Sequence, residues 1–303
     1  MNTQTASISQ TRHVVPRVAN ADSGLNRNHP RSLASLGFAA LLLASAPALA
    51  QVAPNLNTAA PYAVLGTNAF PIIGTVTCTN TGPGSTINGQ VGTTFNAITN
   101  TLCTITGPIV APVPVGVVTD FNAAFASVDV LNPVCNVLPF PIVTATLPPG
   151  VYCSAAGTTI GAGVILTLNG TASDVWVFRV GTGGPGALTL NSAQVRMGGT
   201  GDPCNVYWKT SAAATSTDSI FLGTVLSGNS VTMTRGSWIG GRALATTDVT
   251  VTDAAPLTGC AAALAGGAGG GGAGVPTLSE WAMVMLAALL AIAGFAAMRR
   301  KAI

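Results

Sequence analysis

Alternation of apolar and polar residues dominates the middle of the chain. It appears at residues 164–169 (V-I-L-T-L-N), 175–180 (V-W-V-F-R-V), 187–191 (A-L-T-L-N), 205–209 (N-V-Y-W-K), 230–234 (S-V-T-M-T) and 248–252 (D-V-T-V-T). A period of two sends successive side chains to opposite faces of a strand. Five- or six-residue segments of this kind, separated by Gly, Asn, Asp and Pro, predict an all-β domain. One segment departs from the pattern. Across residues 119–131 the apolar Phe121, Ala124, Phe125 and Val128 follow helical spacing, with Thr119 or Asp120 as N-cap and Pro133 beyond the end. This predicts one α-helix, its Phe face packed alongside the sheet.

The strands also repeat. Leu166-Thr-Leu-Asn169 returns as Leu188-Thr-Leu-Asn191, and loosely as Val231-Thr-Met-Thr234 and Val249-Thr-Val-Thr252. The intervals between these segments read as about one, two and one turns of a solenoid whose coils vary in length. A β-sandwich is the alternative. Alternation turns Leu166, Leu168, Leu188, Leu190, Val231, Met233, Val249 and Val251 inward. The outward set is then Thr167, Asn169, Thr189, Asn191, Thr232, Thr234, Thr250 and Thr252. Stacked in register, these residues would form a two-column ladder, about 4.8 Å between coils and about 7 Å along a strand. The high β propensity of Thr on an exposed pleated face explains such an array. So does a second reading, in which a flat, weakly charged lattice of methyls and hydroxyls orders water.

Composition narrows the chemistry. Residues 51–260 contain no His and no Glu, but seven Asp, five Lys or Arg and 34 Thr. Proton transfer draws mostly on His and Glu, and the common transition-metal sites use His. No enzyme activity, cofactor or metal is expected. Hydrolysis on a β-helix would need closely placed carboxylates, whereas Asp174, Asp202, Asp218, Asp248 and Asp253 fall mostly at strand starts or turns. Gly181-Thr-Gly-Gly-Pro-Gly186 matches a dinucleotide fingerprint but leads into a strand rather than a helix, so it reads as a turn. The formal charge of +3 comes from the ends, since the central residues carry five positive against seven negative side chains. No basic patch serves nucleic acid.

The ends read as export signals. Residues 1–50 combine a basic stretch ending at Arg31, an apolar run from Leu33 to Leu43 and Ala48-Leu49-Ala50, which is the pattern of a signal peptide cleaved after Ala50. Residues 261–274 are almost all Gly and Ala, a flexible linker with a reach of roughly 20 Å. Residues 275–303 follow with Val275, Pro276, Thr277, Leu278, Ser279, Glu280 and Trp281, an apolar run to Met298 and Arg299-Arg300-Lys301. That run is long enough to span a bilayer core as a transmembrane helix, with the basic cluster kept cytoplasmic. The tail resembles the IPTL-type C-terminal sorting signal of Gram-negative bacteria, with Val275 in place of the usual Ile. The resemblance implies an exosortase-type sorting enzyme as partner, passage through the inner membrane by the C-terminal helix, and a cell-surface or secreted destination.

Six cysteines, Cys78, Cys103, Cys135, Cys153, Cys204 and Cys260, all lie between these signals. In an exported domain they predict disulfides, with fifteen connectivities open. No two are spaced as a C-x2-C metal pair.

Several segments of residues 51–260 resemble the microbial ice-binding protein family of β-solenoid fold. They are Ala63-Val-Leu-Gly66, Thr79-Asn-Thr-Gly-Pro83 followed by Ile87-Asn-Gly89, Pro149-Gly-Val-Tyr-Cys153, Asp174-Val-Trp-Val-Phe178, Cys204-Asn-Val-Tyr-Trp208 and Gly241-Arg-Ala-Leu-Ala245. The resemblance implies an irregular right-handed β-solenoid with one α-helix packed alongside. It also implies adsorption to the ice crystal surface through a flat Thr/Asn-rich face, the behaviour of an antifreeze or ice-recrystallisation inhibitor. A surface adhesin or structural solenoid without ice activity is the alternative function.

Overall fold

The computed structural model describes residues 51–260, apart from 69–73, 82–83, 96, 139–140 and 254–256. The signal peptide, the linker, the sorting motif Val275–Trp281 and the apolar run after it lie outside the described residues. Among the described residues no helix is long and apolar enough to cross a membrane.

The strands coil into a three-sided solenoid, and every pairing between described strands is parallel. Side one is built from Thr158–Ile160, Leu188–Asn191, residues 214–217 and 231–234, Val249–Thr252, Val76–Thr79 and Thr99–Thr101. Side two includes Ile165–Gly170, Gln194–Gly199, residues 219–222 and 236–239, Leu257–Gly259 and Thr86–Asn88. Side three includes Gly150–Ser154, Trp176–Val180, Val206–Thr210, residues 224–227 and 243–245, and Tyr62–Gly66. The stacking order departs from chain order at one place. The last coil sits between the N-terminal coils, which end at Ile109–Val110, and the coils that follow the helix, with Val249–Thr252 pairing residues 231–234 on one flank and Val76–Thr79 on the other.

Alternation fills the interior as the sequence predicts, with Leu166, Leu168, Leu188, Leu190, Val231, Met233, Val249 and Val251 all buried. An aromatic column runs through it. Tyr152, Phe178, Trp208, Phe221 and Trp238 follow one another with centroids 5.4, 3.8, 5.3 and 4.8 Å apart. The first three occupy one register column on side three, which continues as the smaller Val225 and Ala243. Phe221 and Trp238 reach in from side two where those smaller residues leave room. The polar atoms of the column are satisfied: Trp208 Nε1 donates to the Leu222 carbonyl at 3.0 Å and Trp238 Nε1 to that of Gly223 at 2.7 Å.

Side three is covered by the helix Val115–Leu131. Val117, Phe121, Ala124 and Val128, spaced along one helix face, pack on Leu65, Val151, Val177, Leu226 and Leu244. The helix starts earlier than the sequence expectation, at Val115 rather than at Thr119. Pro114 precedes its first residue, and no side chain caps it. Thr119 and Asp120 are inside the helix, and the Asp120 carboxylate instead accepts bonds from the Thr58 backbone and hydroxyl at 3.0 and 2.5 Å. Pro114 is the N-cap residue itself, with extended backbone, and its carbonyl accepts the Val117 N–H at 3.0 Å.

Three disulfides join Cys78 to Cys103, Cys135 to Cys153 and Cys204 to Cys260. The first ties the Thr99–Thr101 coil to its neighbour, and the third fastens the last coil.

Because Phe121 is fully buried between helix and side three, Phe121→Ala should destabilise the domain by about 3–5 kcal/mol in urea denaturation. Val130→Ala on the exposed flank of the same helix should change stability by less than about 0.5 kcal/mol. Equal effects of the two changes would contradict the docking described.

Candidate functional site

Register on side one brings threonines into two columns. The first runs Thr99, Thr77, Thr250, Thr232, Thr215, Thr189 and Thr159. The second, on the same face one alternation further along each strand, runs Thr101, Thr79, Thr252, Thr234, Thr217 and Asn191. None of these positions carries a charged side chain. Thr77, Thr250, Thr232, Thr215 and Thr189 are each half-buried by their neighbours, so hydroxyl and methyl form a continuous surface rather than separate projections. A β-branched side chain has few χ1 states, which further fixes the array.

Six of the eight outward residues read from the sequence share this face: Thr189, Asn191, Thr232, Thr234, Thr250 and Thr252. The structure places Thr167 and Asn169 on side two instead. There Thr167 is the partner of Arg196, whose Nε donates to its hydroxyl at 3.3 Å, and Asn169 is the partner of Gly198. Passing from the first L-T-L-N segment to the second is therefore a step from side two to side one, not a full coil. Both strands bury alternate leucines in the same core, so alternation distinguishes inward from outward but not one side from another.

Seven members of the columns were not singled out in the sequence: Thr77, Thr79, Thr99, Thr101, Thr159, Thr215 and Thr217. Six of them stand in the triplets T-C-T, T-N-T and T-S-T. The T-x-T motif was their signal. The apolar test missed it because the inward residue of each triplet is a disulfide cysteine, an asparagine or a serine: Cys78, Asn100 and Ser216. Asn100 sits in the outermost described strand of this side, where its amide bonds both the N–H and the carbonyl of Cys103, at 3.1 and 3.2 Å.

Charge gathers at the rims. Just past the second column the chain turns the corner through Leu102, Ser192, Asp218, Arg235 and Asp253, whose φ values are 62°, 49°, 49°, 51° and 49°. Left-handed backbone at a non-glycine residue costs on the order of 1 kcal/mol, yet five coils adopt it at the same corner. Arg235 donates to both Asp218 oxygens at 2.6 and 2.8 Å, and Asp253 accepts from the Thr81 backbone and hydroxyl at 2.6 and 2.9 Å. Before the first column, Asp248 accepts from the Thr75 backbone and hydroxyl at 2.9 and 2.8 Å. Charged rim groups are thus engaged with the protein itself. Among the described residues no group of His, Cys, Asp or Glu could hold a metal ion.

A solenoid with one side covered by a helix and another lined by uncharged threonine columns belongs to the class of proteins that present a surface. The family model described as Ice-binding-like matches residues 72–255, and the chain belongs to that family. A second model, the IPTL-CTERM motif, matches residues 273–300. The chain is 30% identical over 222 residues to an ice-binding protein of Colwellia sp, covering 66% of this chain and 85% of that relative. It is 27% identical over 252 residues to Ice-binding protein 1 of Shewanella frigidimarina (strain NCIMB 400), covering 68% of this chain but spanning only 26% of that relative's length. Its fold is similar to that of an ice binding protein from an Antarctic biological consortium, with a TM-score of 0.58 at 24% identity over 68% of this chain and 91% of the other.

The side chains of residues 51–260 that titrate below neutral pH are aspartates. The Arg235 hydrogen bond holds the Asp218 carboxyl below its ordinary range, and the Thr81 backbone and hydroxyl do the same for Asp253. Burial opposes ionisation of Asp129, but the bonds and charges of Lys209 and Arg179 outweigh it and lower its pKa as well. Carboxylates with depressed pKa values contribute stability above the unfolded aspartate range and lose it as pH falls through the folded values. With no histidine in residues 51–260, the melting temperature should stay flat from about pH 5 to pH 8 and fall below about pH 4. A transition near pH 6.5, where histidine titrates, would contradict this.

Proposed function

We propose that the mature domain is an exported, cell-surface ice-binding protein that adsorbs to ice through the two threonine columns of side one. Residues 1–50 act as its signal peptide. The linker 261–274 and the tail 275–303 carry it to an exosortase-type sorting enzyme by way of the inner membrane. The observation that carries the reading is the unbroken double column, seven strands long at its first position and six at its second, with no charged member.

Ice offers a ligand of repeating water positions and no charge. A complementary face must repeat in two directions, stay rigid and avoid imposing its own hydration. Strand spacing sets one repeat at about 4.8 Å and the two-residue step sets the other near roughly 7 Å. Hydroxyls join the water network while the methyls between them exclude free water. Ordered backbone and stiff side chains leave little entropy to lose on adsorption, which is the benefit of pre-organisation. A carboxylate or ammonium among the threonines would hold water in its own geometry, so their confinement to the rims and to other sides suits this task.

Residues 51–260 hold all three disulfides and both described core clusters, and can be expressed alone in an oxidising compartment. This fragment should inhibit ice recrystallisation and hold back crystal growth just below the melting point at micromolar concentration. Thr232→Tyr and Thr189→Tyr should each lower that activity several-fold with unchanged circular dichroism, while Thr167→Tyr on side two should leave it intact. No ice activity in the parent fragment would sink the proposal. Cell or polysaccharide binding in its place would favour an adhesin, and equal loss from all three variants would move the face elsewhere.

A further inference from the structure

Away from the threonine face, a cavity of about 310 Å³ opens between the helix and the corner where side three turns into side one. Phe125 and Asp129 of the helix form one wall, and Arg179, Thr182, Lys209 and Ser211 of the solenoid form the other. Residues 51–260 hold only five cationic side chains, and two of them converge here. Asp129 bridges them: its Oδ1 accepts from Arg179 Nε at 2.8 Å and its Oδ2 from the Lys209 ammonium. Arg179 is further fixed by an Nη1 bond to the Asn132 carbonyl at 2.8 Å, and the Lys209 nitrogen lies 4.2 Å from the centre of the Phe125 ring. The two cationic side chains are only 13% and 11% exposed, whereas Asp129 is 45% exposed.

Fastening the helix to side three accounts for one carboxylate and one cation. The second cation leaves an excess of one positive charge, set in partly desolvated surroundings where attraction to an anion is several times stronger than in water. Lys209 has three N–H donors and uses one on Asp129. A single excess charge favours a monoanion over a dianion such as phosphate. The volume sits at the lower end of small-molecule sites, room for a ring rather than for a bare carboxylate. The exposed oxygens of Asp129 can accept from hydroxyls of such a ring while the cations take its carboxylate.

We propose that this cavity binds a sugar acid, a monosaccharide-sized ring with one carboxylate, such as a uronic acid residue of an acidic polysaccharide. The site is independent of the threonine face and does not rest on ice adsorption.

Equilibrium dialysis of the full-length exported protein against radiolabelled glucuronate tests it. Uptake should be saturable, displaced by unlabelled glucuronate and hardly displaced by equal glucose or acetate. Lys209→Met removes a charged hydrogen-bond donor and should weaken binding about tenfold or more. Asp129→Asn raises the excess charge and should tighten binding several-fold, even though it removes the bridge. A cluster that only fastens the helix predicts the opposite for that variant: a lower melting temperature in both and no gain of glucuronate in either. No saturable uptake, equal displacement by acetate, or weaker binding in Asp129→Asn would each overturn the proposal.

Discussion

Parallel hydrogen-bond register between successive coils is the constraint on which the rest of the molecule depends. Each side advances by one strand spacing per coil, however much chain the corners consume. Thr159 and Thr189 are neighbours, and so are Thr215 and Thr232, although far more chain separates the first pair than the second. Surplus length is expelled into turns such as Gly181–Gly186, where Gly181 adopts a φ of 85° and a Cβ would meet the Ser211 hydroxyl at 2.0 Å. Because register is kept, what one strand buries the next buries at the same depth. The aromatic column inside and the threonine columns outside are two consequences of one ladder.

Charge obeys the same geometry. A strand position repeats through the stack, so a charge at an outward position would stand about 4.8 Å from its neighbours in the coils beside it. Side one avoids charge on its surface. At its corner, opposite charges follow one another, Asp218 against Arg235 with Asp253 in the next coil. The remaining concentration of charge lies beside the helix, where Arg179 and Lys209 are neighbours on adjacent strands and share Asp129. Alignment of like charges in neighbouring coils is thus met by a carboxylate from outside the stack.

Much of this was legible in the residues, and what was not has a definite physical origin. Alternation at 231–234 and 249–252 gave the correct burial and the correct neighbours, since those coils are short and their loops leave little choice. The helix was visible from Phe121, Ala124 and Val128, but its first turn was hidden because Pro114 rather than a polar cap begins it. Thr167 was grouped with Thr189 because identical L-T-L-N segments face the same core from different sides. Cysteine pairing was illegible for a related reason: Cys204 and Cys260 are separated by 56 positions in sequence, and their proximity depends on where the last coil inserts. Local pattern reports which way a residue points, while the stacking order that decides its neighbours is a property of the whole chain.

That stacking order governs how the face comes into being. Val249–Thr252, near the end of the domain, pairs with Val76–Thr79, near its beginning, so an inner rung of the array is supplied by the last coil to be made. The array cannot lengthen one rung at a time as the chain emerges. Until that coil arrives, the first coil and residues 231–234 present open edges with unpaired backbone groups, the condition that invites wrong partners. Contacts so distant in sequence make for slow folding. The face is continuous only once Val249–Thr252 has paired on both of its flanks, which makes that strand its keystone.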